Sequence, residues 1–305
     1  MPLYSNLASL SQTPGSNAAD GSSDAPSTVD QQTNLLAAFI AQLRDGNGFT
    51  TGLGNLGQCR LTKSGANLLL SPLNGNGLTI NGVVCKIPSA GLTLAPTALA
   101  VATTYFIYAV ATGTAVSSLE ASATGHSTDT ATGVEIKTGD PTRTLVGMAR
   151  TIAGPAWVDA TNQRFVLSWF NRRPINTGAV LGSNASIFSL SFAEISTSLR
   201  NEFLIWSSDY ANFGFQGSAS NNVTNAVTYT TIALDGVTGD SHSAGAHYIT
   251  NAIIPISVAL QVQAGQTEGY HYATPYTLQN TTATSTYTGN GSLSTRCVMS
   301  GVIQG

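Results

Sequence analysis

The spacing of apolar side chains changes along this chain, and each change predicts a different kind of structure. Met1 to Ala25 shows no periodicity and reads as an extended polar arm, unordered until a partner holds it. From Ser27 to Gly46 the apolar positions Val29, Leu35, Leu36, Phe39, Ile40 and Leu43 fall on one stripe at helical spacing. Ser27 and Asp30 supply a capping-box start, Arg44 sits in the last turn, and Gly46 is placed to stop the helix. One short amphipathic helix is marginal alone, and its flanks are too polar and Gly-rich to cover it. The stripe Val29, Leu36, Phe39, Ile40 and Leu43 is therefore packed either by a distant part of the chain or by copies of itself.

After a Gly-rich hinge at Gly46–Gly57 the period drops to two, and the prediction becomes strands. Short runs near ten residues apart (Cys59–Thr62, Asn67–Ser71, Leu78–Ile80, Val83–Ile87, Leu92–Leu94) are punctuated by Asn74-Gly75 and Asn81-Gly82, as in a sandwich or barrel. Thr104–Ala111 is apolar without alternation, the mark of a strand buried on both faces. Gly133–Lys137 and Thr144–Arg150 continue the pattern, and Asn162–Asn171 reads as a closing strand. A second set runs from Ala185 to Ile303, with Val258–Val262 alternating strictly, so that one face is buried and the other polar. The fold class expected is mainly β: an extended arm and one helix (1–57), a β-sandwich spacer (58–175) and a C-terminal jelly-roll-like module (176–305).

Composition narrows the class of partner. Charged residues are 9% of the chain against a usual figure of roughly 25%, and the net charge of −3 argues against nucleic acid. From Asn176 onward there are six acidic residues and two basic ones, Arg200 and Arg296. So little charge invites association, and symmetric assembly is one way to manage it. The uncharged run Gly91–Gly113 is long enough for a membrane span. Pro96, five threonines and the β-branched and aromatic cluster Thr103–Val110 instead predict two strands and no membrane insertion. Cys59, Cys85 and Cys297 form no disulfide framework or zinc pattern and read as free, half-buried thiols. The N-terminus lacks the basic and apolar regions of a secretory signal, which fits synthesis in a reducing cytoplasm.

Three stretches resemble tailed-bacteriophage fibre and appendage proteins. The run Ser11–Gly21 followed by Pro26-Ser-Thr-Val-Asp30 looks like their virion-attachment end. Tyr105–Tyr108, Arg143–Met148 and Arg164–Arg173 resemble the strands of a β-sandwich insert found in such fibres. Glu268–Tyr276 with Cys297–Gly305 resembles their terminal receptor-binding or decoration modules. The resemblance implies a homotrimer assembled in a host bacterial cytoplasm and carried on the virion. It implies docking to tail, portal or capsid proteins through the N-terminus, and a distal module facing host surface glycans.

Candidate chemistry is sparse. Gly52-Leu-Gly54-Asn-Leu-Gly57 matches a dinucleotide fingerprint, but it follows a helix and precedes a strand, the reverse of the order that motif needs. His242 and His247 lack the carboxylate or thiol company of a metal site, and His126 in a Ser/Thr/Gly-rich loop carries still less signal. No metal or cofactor is expected. Tyr270, His271, Tyr272 and Tyr276 form the one notable cluster, either filling a core or trimer seam or stacking on sugar rings. Hydrolysis of a polysaccharide would need two carboxylates roughly 5–10 Å apart. Glu194 and Glu202, flanking a turn, are the best pair available, and surface placement explains them equally well. The reading is a structural virion fibre or spike without catalysis. A polysaccharide-degrading tailspike and a head-decoration fibre bound to capsid are the alternatives.

Overall fold

The computed structural model describes Leu36 and residues 56–224, 226–238, 245–248, 253–289 and 295–305. The attachment arm, the helix stripe at Val29, Phe39, Ile40 and Leu43, and most of the Gly-rich hinge lie outside these residues. Leu36 itself is helical and 51% exposed. The described chain is almost entirely β, and its strands form four sheets stacked as successive layers.

The first layer is three-stranded, from Cys59–Ser64, Asn67–Pro72 and Leu92–Leu94. It packs on a nine-stranded sheet whose centre is Thr104–Thr112 against Asp140–Ile152, with Tyr108 opposite Leu145. Leu61, Leu68 and Leu70 from the small sheet meet Leu78, Ile107, Val146 and Trp157 from the large one. Asn81 and Gly82, both at positive φ, close a two-residue hairpin between Gly77–Ile80 and Val83–Lys86. The membrane-length run divides into Leu92–Leu94 and Thr104–Thr112 on different sheets, and no helix among the described residues is long and apolar enough to cross a membrane.

The third layer is seven-stranded and includes Asn201–Ile205, Gly269–Gln279 and Val227–Leu234. The fourth is six-stranded and includes Pro174–Val180, Val298–Gln304, Ala211–Asn221 and Ile254–Val262. Between them lies the largest apolar cluster, with Phe203, Ile232 and Ala273 facing Phe213, Phe215, Val258 and Met299. Two face-packed, largely antiparallel sheets with inward apolar positions are the sandwich expected of this half.

A third cluster joins the halves. Tyr108, Leu145, Met148 and Leu167 from the nine-stranded sheet touch Leu204 and Trp206 from the seven-stranded one, with Phe106, Trp169 and Tyr270 around them. The expected closing strand Asn162–Asn171 is here divided. Gln163–Arg164 runs parallel to Asn201–Ile205 in the third layer, while Val166–Ser168 pairs with Asp140–Ile152 in the second. Phe165, buried between them, marks the step from one sheet to the next. Arg173 and Gly305 then exchange two backbone hydrogen bonds at 2.5 and 2.8 Å. The three cysteines are free and fully buried rather than half-buried, and burial pushes the Cys59 thiol up to about 12.

Candidate functional site

Strand Gly269–Gln279 carries the aromatic cluster, and its two-residue period divides it. Tyr270, Tyr272 and Tyr276 lie half-buried on one face. His271 points through the sheet to the other, where it is 5% exposed and packs 6.0 Å from the Phe203 ring. The cluster is thus a three-tyrosine ladder backed by a buried imidazole.

Arginines cover the ladder. The Arg150 guanidinium carbon stands 4.2 Å from the centre of the Tyr270 ring, and that of Arg200 stands 4.5 Å from Tyr272. Phe165 meets Tyr270 edge-on at 5.9 Å, and Tyr270 and Tyr272 lie 6.4 Å apart. The Tyr270 hydroxyl donates to Glu202 Oε1 at 2.6 Å, and Gln163 donates to the other oxygen at 2.7 Å. Burial, with the Glu202 carboxylate beside it, pushes the Tyr270 phenol up. Arg200 forks onto Glu194 with bonds of 2.6 and 2.7 Å, and Thr274 donates to the same carboxylate at 2.9 Å. Burial alone would raise the Glu194 carboxyl; the bonds from Arg200 and Thr274, with the arginine charge, bring it below the usual range. Gly236, at φ +80°, allows the Tyr272 and Tyr276 hydroxyls to converge. A Cβ there would stand 3.2 and 3.4 Å from them.

This arrangement presents flat phenol edges, hydroxyls and one cation, Arg150, that has no ion pair among the described residues. Its guanidinium donates to the Thr104 hydroxyl at 3.2 Å. Glu194 is engaged by Arg200 and Thr274, and Glu202 by Tyr270 and Gln163. The remaining described acids of this half are also held: Asp209 by Arg172 at 2.6 Å, Asp235 by His271 at 2.6 Å and Glu268 by His126 at 2.9 Å.

His126, the least promising histidine in the sequence, is the best-contacted one here. Its ring sits among Phe106 at 5.4 Å, Trp169 at 5.5 Å and Trp206 at 5.8 Å, on the layer that joins the two halves. Glu135 lies 2.5 Å from Nδ1 and Glu268 lies 2.9 Å from Nε2. Sequence spacing gives little hint of this, since the partners are 9 and 142 residues away. His242, Asp240, Gly52 and Gly54 lie outside the described residues, and His247 falls within strand Gly245–Tyr248. Gly57 is tied to Leu78 and leaves no room for a side chain against Phe170, which suits a linker rather than a phosphate loop. Arg172 stacks 5.3 Å from Trp169 and pairs with Asp209.

No protein-family model matches the chain, and no curated protein matches it. Among solved structures it is similar to capsid proteins of infectious bursal disease virus. The VP2 subviral particle aligns at 12% identity and TM-score 0.25, over 52% of this chain and about half, 47%, of that one. The Gx strain aligns at 12% identity and TM-score 0.27, over 87% and 80% of the two chains. The T13 particle aligns at 10% identity and TM-score 0.28, over 91% and 85%. Identities and TM-scores this low give the likeness no weight for fold or role.

Proposed function

We infer that this chain is a structural protein of a tailed-phage virion, a homotrimeric fibre or spike that works by binding rather than catalysis. Its N-terminal segment anchors it, the first two sheets act as a spacer, and the C-terminal sandwich is distal. The observation that carries the reading is the outer face of the fourth sheet. Cross-strand rows there run Asn176, Val302, Asn212, Gln261; then Gly178, Ser300, Gly214, Ala259; then Val180, Val298, Gln216, Ser257. Every position is exposed or half-exposed, and none is charged. Soluble surfaces usually carry interspersed charge. A neutral sheet face is matched best by another of its kind, so identical copies shield it. Phe188 and Leu190, 55% and 63% exposed beside the same sandwich, add to that need.

On this reading Tyr272 and Tyr276 form the glycan-facing or seam surface, while Tyr270 packs into the layer that joins the halves. Attachment to capsid instead of tail would leave the trimer unchanged.

The test is the mass of the purified full chain in solution. A trimer is expected, and the double variant Val302→Asp with Asn212→Asp is expected to run as a folded monomer. A well-folded wild-type monomer at micromolar concentration would overturn the assignment. Release of reducing sugar from host surface polysaccharide would transfer support to the tailspike enzyme.

A further inference from the structure

We propose that His126 and His271 form a pH-responsive latch on the segment Thr267–Glu268, closed while both imidazoles carry two protons and loosened when either loses one. The argument begins with hydrogen-bond inventory. His126 has Glu135 Oε2 at Nδ1 and Glu268 Oε2 at Nε2; His271 has Asp235 Oδ2 at Nδ1, 2.6 Å away, and the Thr267 carbonyl at Nε2, 2.8 Å away. Ionised carboxylates and backbone carbonyls only accept. A neutral imidazole has one N–H and one lone pair. In either tautomer, each ring would then aim a lone pair at an oxygen. Both environments are built for imidazolium, and which nitrogen faces which oxygen does not change that count.

The two rings grip adjacent residues from opposite sides. Glu268 is held by His126, which belongs to the nine-stranded sheet, while Thr267 is held by His271 in the strand that follows it. Ser207 donates to Glu268 Oε1 through its amide and its hydroxyl at 3.4 and 3.3 Å, and the Gly265 amide donates to the Ser207 carbonyl at 2.7 Å. Loss of the His126–Glu268 bond therefore releases a direct polar tie between the second and third layers.

The other charged groups facing these rings are already committed. Lys137 and Arg143 bind Glu120, and Arg172 binds Asp209, whose carboxyl burial pushes up. Thr128 donates to Glu135, the Tyr108 hydroxyl donates to the Thr124 carbonyl, and the Tyr272 amide donates to Asp235 Oδ1. Among the described residues no second cation replaces an imidazolium that deprotonates.

The sign follows from the partners. The Glu268 bond raises His126 above the ordinary imidazole range, burial opposes it, and Glu135 adds to the rise. For His271 burial opposes most, and the bonds to Asp235 and Thr267 overcome it. Stabilisation from groups raised on folding is complete below the free imidazole value, about 6.5, and is lost as pH climbs through the folded values. Glu268 is held below the usual carboxylate range, chiefly by His126, so its share disappears as pH falls through that lowered value. The latch is closed in the window between.

Histidine NMR titration of the full chain tests this, with His126→Gln and His271→Gln used to assign the signals. Two imidazoles are expected to titrate above the free value, with both ring nitrogens protonated at pH 6. The melting temperature of wild type is expected to fall by several degrees as pH rises through those midpoints. Glu268→Gln, which keeps the shape, should lower the His126 midpoint and flatten the fall; Asp235→Asn should do the same for His271. A neutral His126 or His271 at pH 6, or an equal slope in wild type and Glu268→Gln, would overturn the proposal. Neither readout depends on the oligomer or on any glycan.

Discussion

Strands Thr104–Thr112 and Ile254–Val262 have the same length, nine residues, and opposite situations. In the first, Tyr105, Ile107 and Ala109 enter the core under the three-stranded sheet, while Phe106 and Tyr108 enter the layer shared with the C-terminal half. In the second, Ile256, Val258, Leu260 and Val262 are buried, whereas Pro255, Ser257, Ala259 and Gln261 face outward. Unbroken apolar sequence records two covered faces, and strict alternation records one. The open face carries no charge, although nothing among the described residues covers it. A strand half exposed among the described residues thus carries a neutral outer face.

Removing one cover from the central strand should have the largest effect. Trp206 is wholly buried at the junction, 4.9 Å from Trp169 and packed beside Phe106. Trp206→Ala should cost about 3–5 kcal/mol, seen as a lower denaturation midpoint, and should expose the Phe106 and Tyr108 side of the strand. A loss below about 1 kcal/mol would mean that the junction is not a packed core. Gly147→Ala attacks the opposite cover. A Cβ there would stand 2.5 Å from the Leu167 carbonyl oxygen and 2.5 Å from a Leu61 methyl. The expected cost is about 1–3 kcal/mol of overpacking, with the three-stranded sheet losing amide protection first.

Much of this contrast was readable in the sequence. Thr104–Ala111 without alternation, Val258–Val262 with it, and the Asn81-Gly82 turn all behave as their patterns predict, because period and turn chemistry are local properties. The stacking of the halves was not readable. Asn162–Asn171 is continuous in sequence, yet it changes sheets at Phe165, and only the neighbouring strands decide where. The tyrosines of Tyr270–Tyr276 were found from spacing, but Arg150 and Arg200 lying over their rings were not, since Arg150 reaches Tyr270 from another sheet. His126 was passed over for the same reason: its charge partners lie on distant segments.

A smaller effect separates the ladder from both strands. Tyr270→Phe keeps the ring under Arg150 and beside Phe165 while removing the hydroxyl that Glu202 Oε1 accepts. The expected cost is about 1 kcal/mol, measured by denaturant unfolding. No change would show that water replaces the bond freely and that the ladder is open enough to be read as a surface.

The smallest effect should come from the open strand itself, and it is the most informative about assembly. Ser257 faces outward opposite Gln216, in a row that continues to Val298 and Val180. In an isolated subunit Ser257→Lys adds a solvated charge to a solvated face, so monomer stability should stay within about 0.5 kcal/mol of wild type. Between copies the same lysine must lose its water against a neutral sheet with no carboxylate in the rows on which it would lie. Denaturant unfolding should therefore leave the variant unchanged at concentrations where subunits separate, and sedimentation should show weakened association at higher ones. A large loss of stability in the separated subunit would mean that something in the chain itself covers this face, and the contrast between the two strands would disappear.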